Sequence, residues 1–261
     1  MMSAIEKTLN EKVVQMGVAS HISKLGWQFA EDEILGRPFE SVFLQDDLFA
    51  SLEKLNPEIT KVKSRADEVL AKLRAVLLGV RNDGLVASNE EFVAWICGRR
   101  TIKYISTDQD VQVRLIDFDN PANNILRVTT EATFHIGREH RRYDLVLWVN
   151  GLPLVVGEMK TPVGVNISWL NGATDIHNAY EKKTPEFFVP NVFSFASEGR
   201  EFRYGAVGQP PSNGREGNDQ PQGCAGDLPG SLRHGQSSGT DRSGKGIDAS
   251  LRRRGAGQNH R

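Results

Sequence analysis

Cysteine is nearly absent from these 261 residues. There are 2, Cys97 and Cys224, too few and too far apart for a disulfide framework or a cysteine-based zinc site. No run reaches 18 consecutive apolar residues, and the N-terminus lacks the apolar core of a signal peptide. The expectation is a soluble, cytoplasmic chain. Aromatics are missing from the C-terminal part: the 4 Trp, 4 Tyr and 12 Phe all lie at or before Tyr204. Residues 212–261 hold 11 of the 25 Gly and only four branched aliphatics, Leu228, Leu232, Ile247 and Leu251. Such a stretch buries too little apolar surface to offset its ordering entropy. A fold is therefore expected over residues 1–207, with 208–261 a disordered tail rich in Gly, Ser and Arg. An excess of positive charge is missing as well. Residues 1–211 carry 24 Lys and Arg against 28 Asp and Glu, and the tail 8 against 5. A mildly acidic body is a poor electrostatic footprint for unaided nucleic-acid binding.

What is present reads as helices followed by strands. Apolar residues at three- and four-residue steps predict helices over 9–25, 46–55 and 58–78, the last ending near Gly79. A fourth helix, 88–97, has Ser88 as N-cap with Glu91 three residues on. The period then changes. Strands are predicted over 111–116, 125–136, 143–149 and 154–160, a helix over 168–182 despite Gly172, and strands over 187–196 and 201–207. This succession predicts an α/β domain, a mixed β-sheet flanked by helices, with a helical N-terminal region.

The chemistry is concentrated in Arg142-Tyr-Asp-Leu-Val-Leu-Trp-Val-Asn-Gly-Leu-Pro-Leu-Val-Val-Gly-Glu-Met-Lys-Thr-Pro162. Two apolar strands flank an Asn-Gly turn, the strongest short hairpin signal. If Val149 pairs with Pro153, Asp144 stands opposite Glu158, and Lys160 shares the face of Glu158. Two carboxylates can hold Mg²⁺ with room for water and a phosphate oxygen, and a nearby lysine can orient the water or balance charge on phosphorus. Glu-x-Lys alone means little, since it occurs by chance about once per chain of this length. Here the flanking runs Leu145–Val149 and Leu154–Val156 are of the buried type, and charges ending such strands need a partner or a metal.

This stretch closely resembles the nuclease core of the restriction (R) subunits of type I restriction-modification enzymes, within the PD-(D/E)xK nuclease superfamily. The likeness continues through Trp169-Leu-Asn-Gly-Ala, Tyr180-Glu-Lys-Lys-Thr-Pro, Val189-Pro-Asn-Val-Phe-Ser-Phe-Ala-Ser-Glu-Gly and Tyr204-Gly-Ala-Val-Gly. Upstream, Leu25-Gly-Trp27 and Leu55-Asn-Pro57 also fit, so that it spans roughly residues 5–210. The resemblance implies a Mg²⁺-dependent, type I site-specific deoxyribonuclease (endonuclease) fold. Asp144 and Glu158 match the metal-binding acids and Lys160 the catalytic lysine. Tyr143 stands where many members have Pro. It also implies double-stranded DNA as substrate and the modification (methyltransferase) and specificity subunits as partners. In the full-length family two ATP-hydrolysing motor domains follow. Here the family-like text stops at about Pro211, so the tail is read as out-of-frame translation and no ATP site is expected. Gly239-Thr-Asp-Arg-Ser-Gly-Lys245 only nearly spells a P-loop, because Gly246 replaces the Ser or Thr.

Several residues carry two readings. The family often has Gln-x-x-x-Tyr on the helix after the core; Tyr180 matches the Tyr, but Ile176 occupies the Gln position, leaving Tyr180 between an auxiliary role and packing. Glu11 resembles an acid that some superfamily members add to the metal site, or is a solvated helix charge. Arg138, His140, Arg141 and Arg142 could meet phosphates, or form an ordinary basic turn. His135, His140 and His177 lack metal-ligand spacing. Two other functions share these features: a non-catalytic remnant or assembly module docking on the methyltransferase, and a PD-(D/E)xK nuclease of a repair lineage.

Overall fold

The computed structural model describes residues 4–161 and 168–211, with the side chains from residue 11 onward. All but four residues of the expected tail, and with them its disorder and reading frame, lie outside the described residues.

Helix α1 spans Ala4–Ser23. It turns Val14, Val18, Ala19 and Ile22 to the core, and leaves Val13 and Met16 exposed. Next come α2 (Gln45–Leu55), α3 (Pro57–Lys61), α4 (Arg65–Asp83) and α5 (Leu85–Ile96). Two boundaries differ from expectation. The helix expected over 58–78 is broken at Val62 and then runs through Gly79 to Asp83. Buried Val80 extends the stripe of Leu73 and Leu77 by a further turn, which offsets the ~1 kcal/mol penalty of an internal glycine. Nor is Ser88 an N-cap. The chain reverses at Gly84, whose φ of 83° suits glycine, so α5 begins at Leu85 and Ser88 is buried inside it.

Two sheets follow. Strands β2 (Thr101–Lys103) and β3 (Asp110–Gln112) form an antiparallel pair. The main sheet has the order β1-β4-β5-β6-β7-β8, built from β1 (Gln28–Phe29), β4 (Leu126–Ile136), β5 (Glu139–Val149), β6 (Leu152–Met159), β7 (Phe193–Ser197) and β8 (Phe202–Gly205). β4, β5 and β6 run antiparallel as a meander, while β1–β4 and β6–β7 are parallel, so the sheet is mixed as expected. The parallel β6–β7 step is bridged by α6 (Trp169–Asp175), a π-helical turn (Ile176–Tyr180), α7 (Glu181–Lys183) and α8 (Pro185–Phe188).

Side chains explain where expected strands stop short. Residues 113–116 are not a strand, because Asn56 and Asn150 satisfy that backbone instead. Asn56 accepts from Arg114 N (2.8 Å) and donates to Arg114 O (3.0 Å), and Asn150 donates to Leu115 O (2.8 Å). Phe187 and Phe188 are helical. Pro185 opens α8, and both rings are fully buried against Tyr143. The core runs from α4 and α5 through this aromatic cluster to β5 and β6. Among the described residues, no helix is long and apolar enough to cross a membrane.

Candidate active site

The β5–β6 hairpin turns at Asn150 (φ 52°) and Gly151 (φ 78°), the two left-handed positions of a two-residue hairpin turn. The turn packs on α2, and a Cβ at Gly151 would stand against Leu44 O and 2.8 Å from Leu48 N. At the turn the register is one residue off the expected pairing: Val149 pairs with Leu152 and Trp148 with Pro153. A bulge at Leu154 then corrects it, so that Leu147 pairs with Val155 and Leu145 with Gly157. Proline at 153 suits a bulge, where the ladder is already interrupted. One further step along the ladder sets Asp144 opposite Glu158, as the sequence predicts, by a different route.

Glu158 lies on a strand that is buried at every position from Leu152 to Met159. Its Oε1 accepts from Lys160 Nζ at 2.7 Å and its Oε2 from Tyr180 Oη at 3.2 Å. Asp144 Oδ2 accepts from Met159 N at 2.6 Å, tying the middle of β5 to the end of β6. Lys160 N donates to Ser197 O at 2.8 Å, which continues the β6–β7 pairing and holds Lys160 on the Glu158 face. Its Nζ also meets Asp175 Oδ2 at 2.8 Å.

The electrostatics follow from this packing. Burial, reinforced by the Glu158 carboxylate, pushes Asp144 up to about 8, against the pull of the Met159 amide. Burial raises Glu158 too, partly offset by Lys160. For Lys160, burial works against the ammonium, but Glu158 and Asp175 outweigh it and the group is held above its ordinary value. Burial, then Glu158 and Asp144, raise the Tyr180 phenol. Two carboxylates that resist joint ionisation are a place where a cation is favoured.

The crossover covers this cluster closely. A Cβ at Gly172 would stand 3.1 Å from Glu158 Cγ and 3.2 Å from Ala196 Cβ, so α6 lies directly on the acid. Ser168 caps α6 with a reciprocal Asn171 bond, and Glu198 receives Trp169 N at 3.0 Å. Ile176 is buried in the core. Tyr180 both packs and bonds: its ring meets Tyr143 edge-on, with centroids 5.7 Å apart, while its hydroxyl reaches Glu158.

The other expected residues are not drawn in equally. Glu11 is half-exposed on α1, and the partners of Asp144, Glu158 and Lys160 are Met159, Tyr180 and Asp175 instead. Arg138 is exposed at the β4–β5 turn. Arg141 meets Glu139 (3.6 Å) and His140 O (2.6 Å) within β5, so of this basic segment only Arg138 lies in the turn and the rest is strand. Arg142 shares the face of Asp144 and pairs with Glu131 at 2.7 Å. His140 is exposed beside His135, with ring centroids 5.9 Å apart. Glu131 and Asp175 were not foreseen. Glu131 sits across from Asp144 on β4 with a left-handed φ of 60°, a strained position for a non-glycine residue. Asp175 carries no sequence signal beyond its place five residues before Tyr180.

Residues 8–213 match the family described as "Type I restriction enzyme R protein N terminus". The chain is 26% identical over 210 residues to the type I restriction enzyme HindI endonuclease subunit of Haemophilus influenzae, covering 76% of this chain and 19% of that protein. It is 22% identical over 213 residues to the provisionally named type I restriction enzyme MjaIXP endonuclease subunit of Methanocaldococcus jannaschii, covering 77% and 19%. A further provisionally named subunit of that organism, MjaVIIP, is 35% identical over 87 residues, 33% of this chain and 8% of that protein. The chain thus spans about a fifth of the length of the first two relatives.

Proposed function

The chain belongs to the family of type I restriction enzyme R protein N-termini, and from that membership we propose that it is the Mg²⁺-dependent DNA endonuclease domain of a type I restriction-modification enzyme. One observation carries the reading: Asp144 opposes Glu158 at the end of a buried hairpin, with Lys160 Nζ 2.7 Å from Glu158. The donor set suits Mg²⁺. Asp144 and Glu158 offer two carboxylate ligands, and the remaining positions would go to water and phosphate. Burial raises both acids, and the Glu158 carboxylate raises Asp144 further; a divalent cation would relieve that repulsion.

In this reading Asp144 and Glu158 would hold the ion, which polarises the scissile phosphate and acidifies a water when bound. Lys160 orients the attacking water and balances the charge that develops on phosphorus. Tyr180 fixes the second Glu158 oxygen. Arg142, and less directly Arg138 and Arg141, contribute to the DNA-phosphate rim. The acidic body makes DNA affinity a matter for the modification and specificity subunits and for further segments of the enzyme. ATP-driven translocation belongs to those segments in the family, and the assembly works in the cytoplasm. Membership of a restriction family also weighs against the repair-nuclease alternative.

The test is cleavage of plasmid DNA by the chain, alone and with its partner subunits, in Mg²⁺ or EDTA. Mg²⁺-dependent cutting that disappears in Asp144→Asn and Lys160→Ala is expected. Cutting that survives both substitutions would remove this site from the reaction. Stable docking without any cutting would favour the assembly-module alternative.

A further inference from the structure

We propose that Asp175 is a positioning residue that holds the Lys160 ammonium in place for strand cleavage, a role that rests on the nuclease reading above. Lys160 needs such an anchor. Its backbone is fixed to β7 through Ser197 O, but four flexible methylenes separate that backbone from the charge. Two carboxylates grip the ammonium: Glu158 Oε1 at 2.7 Å and Asp175 Oδ2 at 2.8 Å. They are not equivalent. Glu158 faces Asp144 across the hairpin, and once it engages a cation its charge is shared. Asp175 stands on the crossover helix rather than on the hairpin, and stays available to the ammonium.

The local helix geometry explains why this residue occupies the place. Glu181 N donates to Ile176 O, a five-residue closure, so the segment takes one residue more per turn than an α-helix. Residues five apart then face alike, where an α-helix would align residues four apart. Asp175 and Tyr180 are five apart, and both reach the cluster, Asp175 at Lys160 and Tyr180 at Glu158. Ile176, four before Tyr180, is turned into the core instead. The π turn thus moves a polar side chain into the position that straight helical counting gives to isoleucine.

The competing account is an exposed ion pair without consequence, since the Asp175 side chain is 48% exposed. Two measurements separate the accounts. In the full chain labelled with [¹⁵N]lysine, the Lys160 ammonium should give a slowly exchanging signal, assigned by its loss in Lys160→Arg. That signal should vanish in Asp175→Asn and persist in Asp175→Glu. In Mg²⁺-dependent DNA cleavage by the chain with its partner subunits, Asp175→Asn should lower kcat about 10- to 100-fold, with KM for DNA and Mn²⁺ affinity unchanged within roughly twofold. Asp175→Glu should recover most of the rate. An undiminished ammonium signal in Asp175→Asn overturns the contact, and an unchanged kcat overturns the role. A drop in Mn²⁺ affinity would make Asp175 a ligand, which also overturns it. Absence of cleavage by the unsubstituted chain would instead sink the nuclease reading, and the role with it, while the ammonium signal still decides the contact.

Discussion

Gly172 on α6 approaches Glu158 on β6 so closely that a Cβ there would stand 3.1 Å from Glu158 Cγ. Alanine at 172 gains up to ~1 kcal/mol in helical preference but presses on the acid. Gly172→Ala is therefore expected to leave stability within about 1 kcal/mol of the native value and to weaken Mn²⁺ binding. Gly172→Val adds two methyl groups to the same contact and should destabilise by roughly 1–3 kcal/mol. Thermal melts and a Mn²⁺ titration on the two variants check the pair. Mn²⁺ binding unaffected by both would mean that the helix does not set the position of Glu158.

Asp144 and Glu158 oppose each other in a setting that penalises ionising both. Asn at 144 keeps an oxygen for the Met159 amide and removes the cost of burying an ionisable carboxyl beside Glu158. Asp144→Asn should therefore raise metal-free stability by roughly 1–2 kcal/mol near neutral pH, while abolishing cleavage. Denaturant unfolding in EDTA is the measurement. A loss of stability would show that the carboxylate is structural.

The hairpin was legible because Asn150-Gly151 and the apolar runs on either side are local signals, and Leu154 repaired the register before it reached the acids. Tyr180 stood out only through the resemblance, as the Tyr of the family's Gln-x-x-x-Tyr element. Asp175 was not legible, because a π turn changes the phase of a helix and nothing in residues 176–180 announces one. Glu131 was hidden in the same way, by an unusual backbone angle inside an apparently ordinary strand. The false strands over 113–116 and 187–188 have a common origin. Their apolar side chains are buried as strand residues would be, but Asn56, Asn150 and Pro185 take over the backbone, a long-range arrangement that periodicity does not report.

The raised Asp144 gives stability a particular pH dependence. Its folded value, about 8, lies above the ordinary 3.8, so the native state holds this proton after the unfolded chain has released it. The associated stability is fully present below the unfolded value and is lost as pH rises through the folded one. Metal-free protein should accordingly lose stability between about pH 5 and about pH 8, and millimolar Mg²⁺, which competes with that proton, should stabilise more at the higher pH. Thermal melts at both values, in EDTA and in Mg²⁺, test the sign. Equal Mg²⁺ stabilisation at the two would rule out the carboxylate pair as the binding site.

Two tyrosines in ring contact separate structure from chemistry. Tyr143 is fully buried, and its hydroxyl shares a 2.8 Å bond with Thr184 Oγ1, which in turn donates to Tyr180 O at 3.0 Å. Tyr180 directs its own hydroxyl to Glu158. Tyr143→Phe should cost about 1 kcal/mol of stability, by leaving the threonine oxygen without its donor, and leave the cleavage rate nearly unchanged. Tyr180→Phe should change stability by less than about 1 kcal/mol and slow cleavage about 5-fold, because it frees one oxygen of Glu158. Unfolding curves and single-turnover cleavage on both variants decide the matter. If the two substitutions affected rate and stability in the same proportion, Tyr180 would be a packing residue like its neighbour.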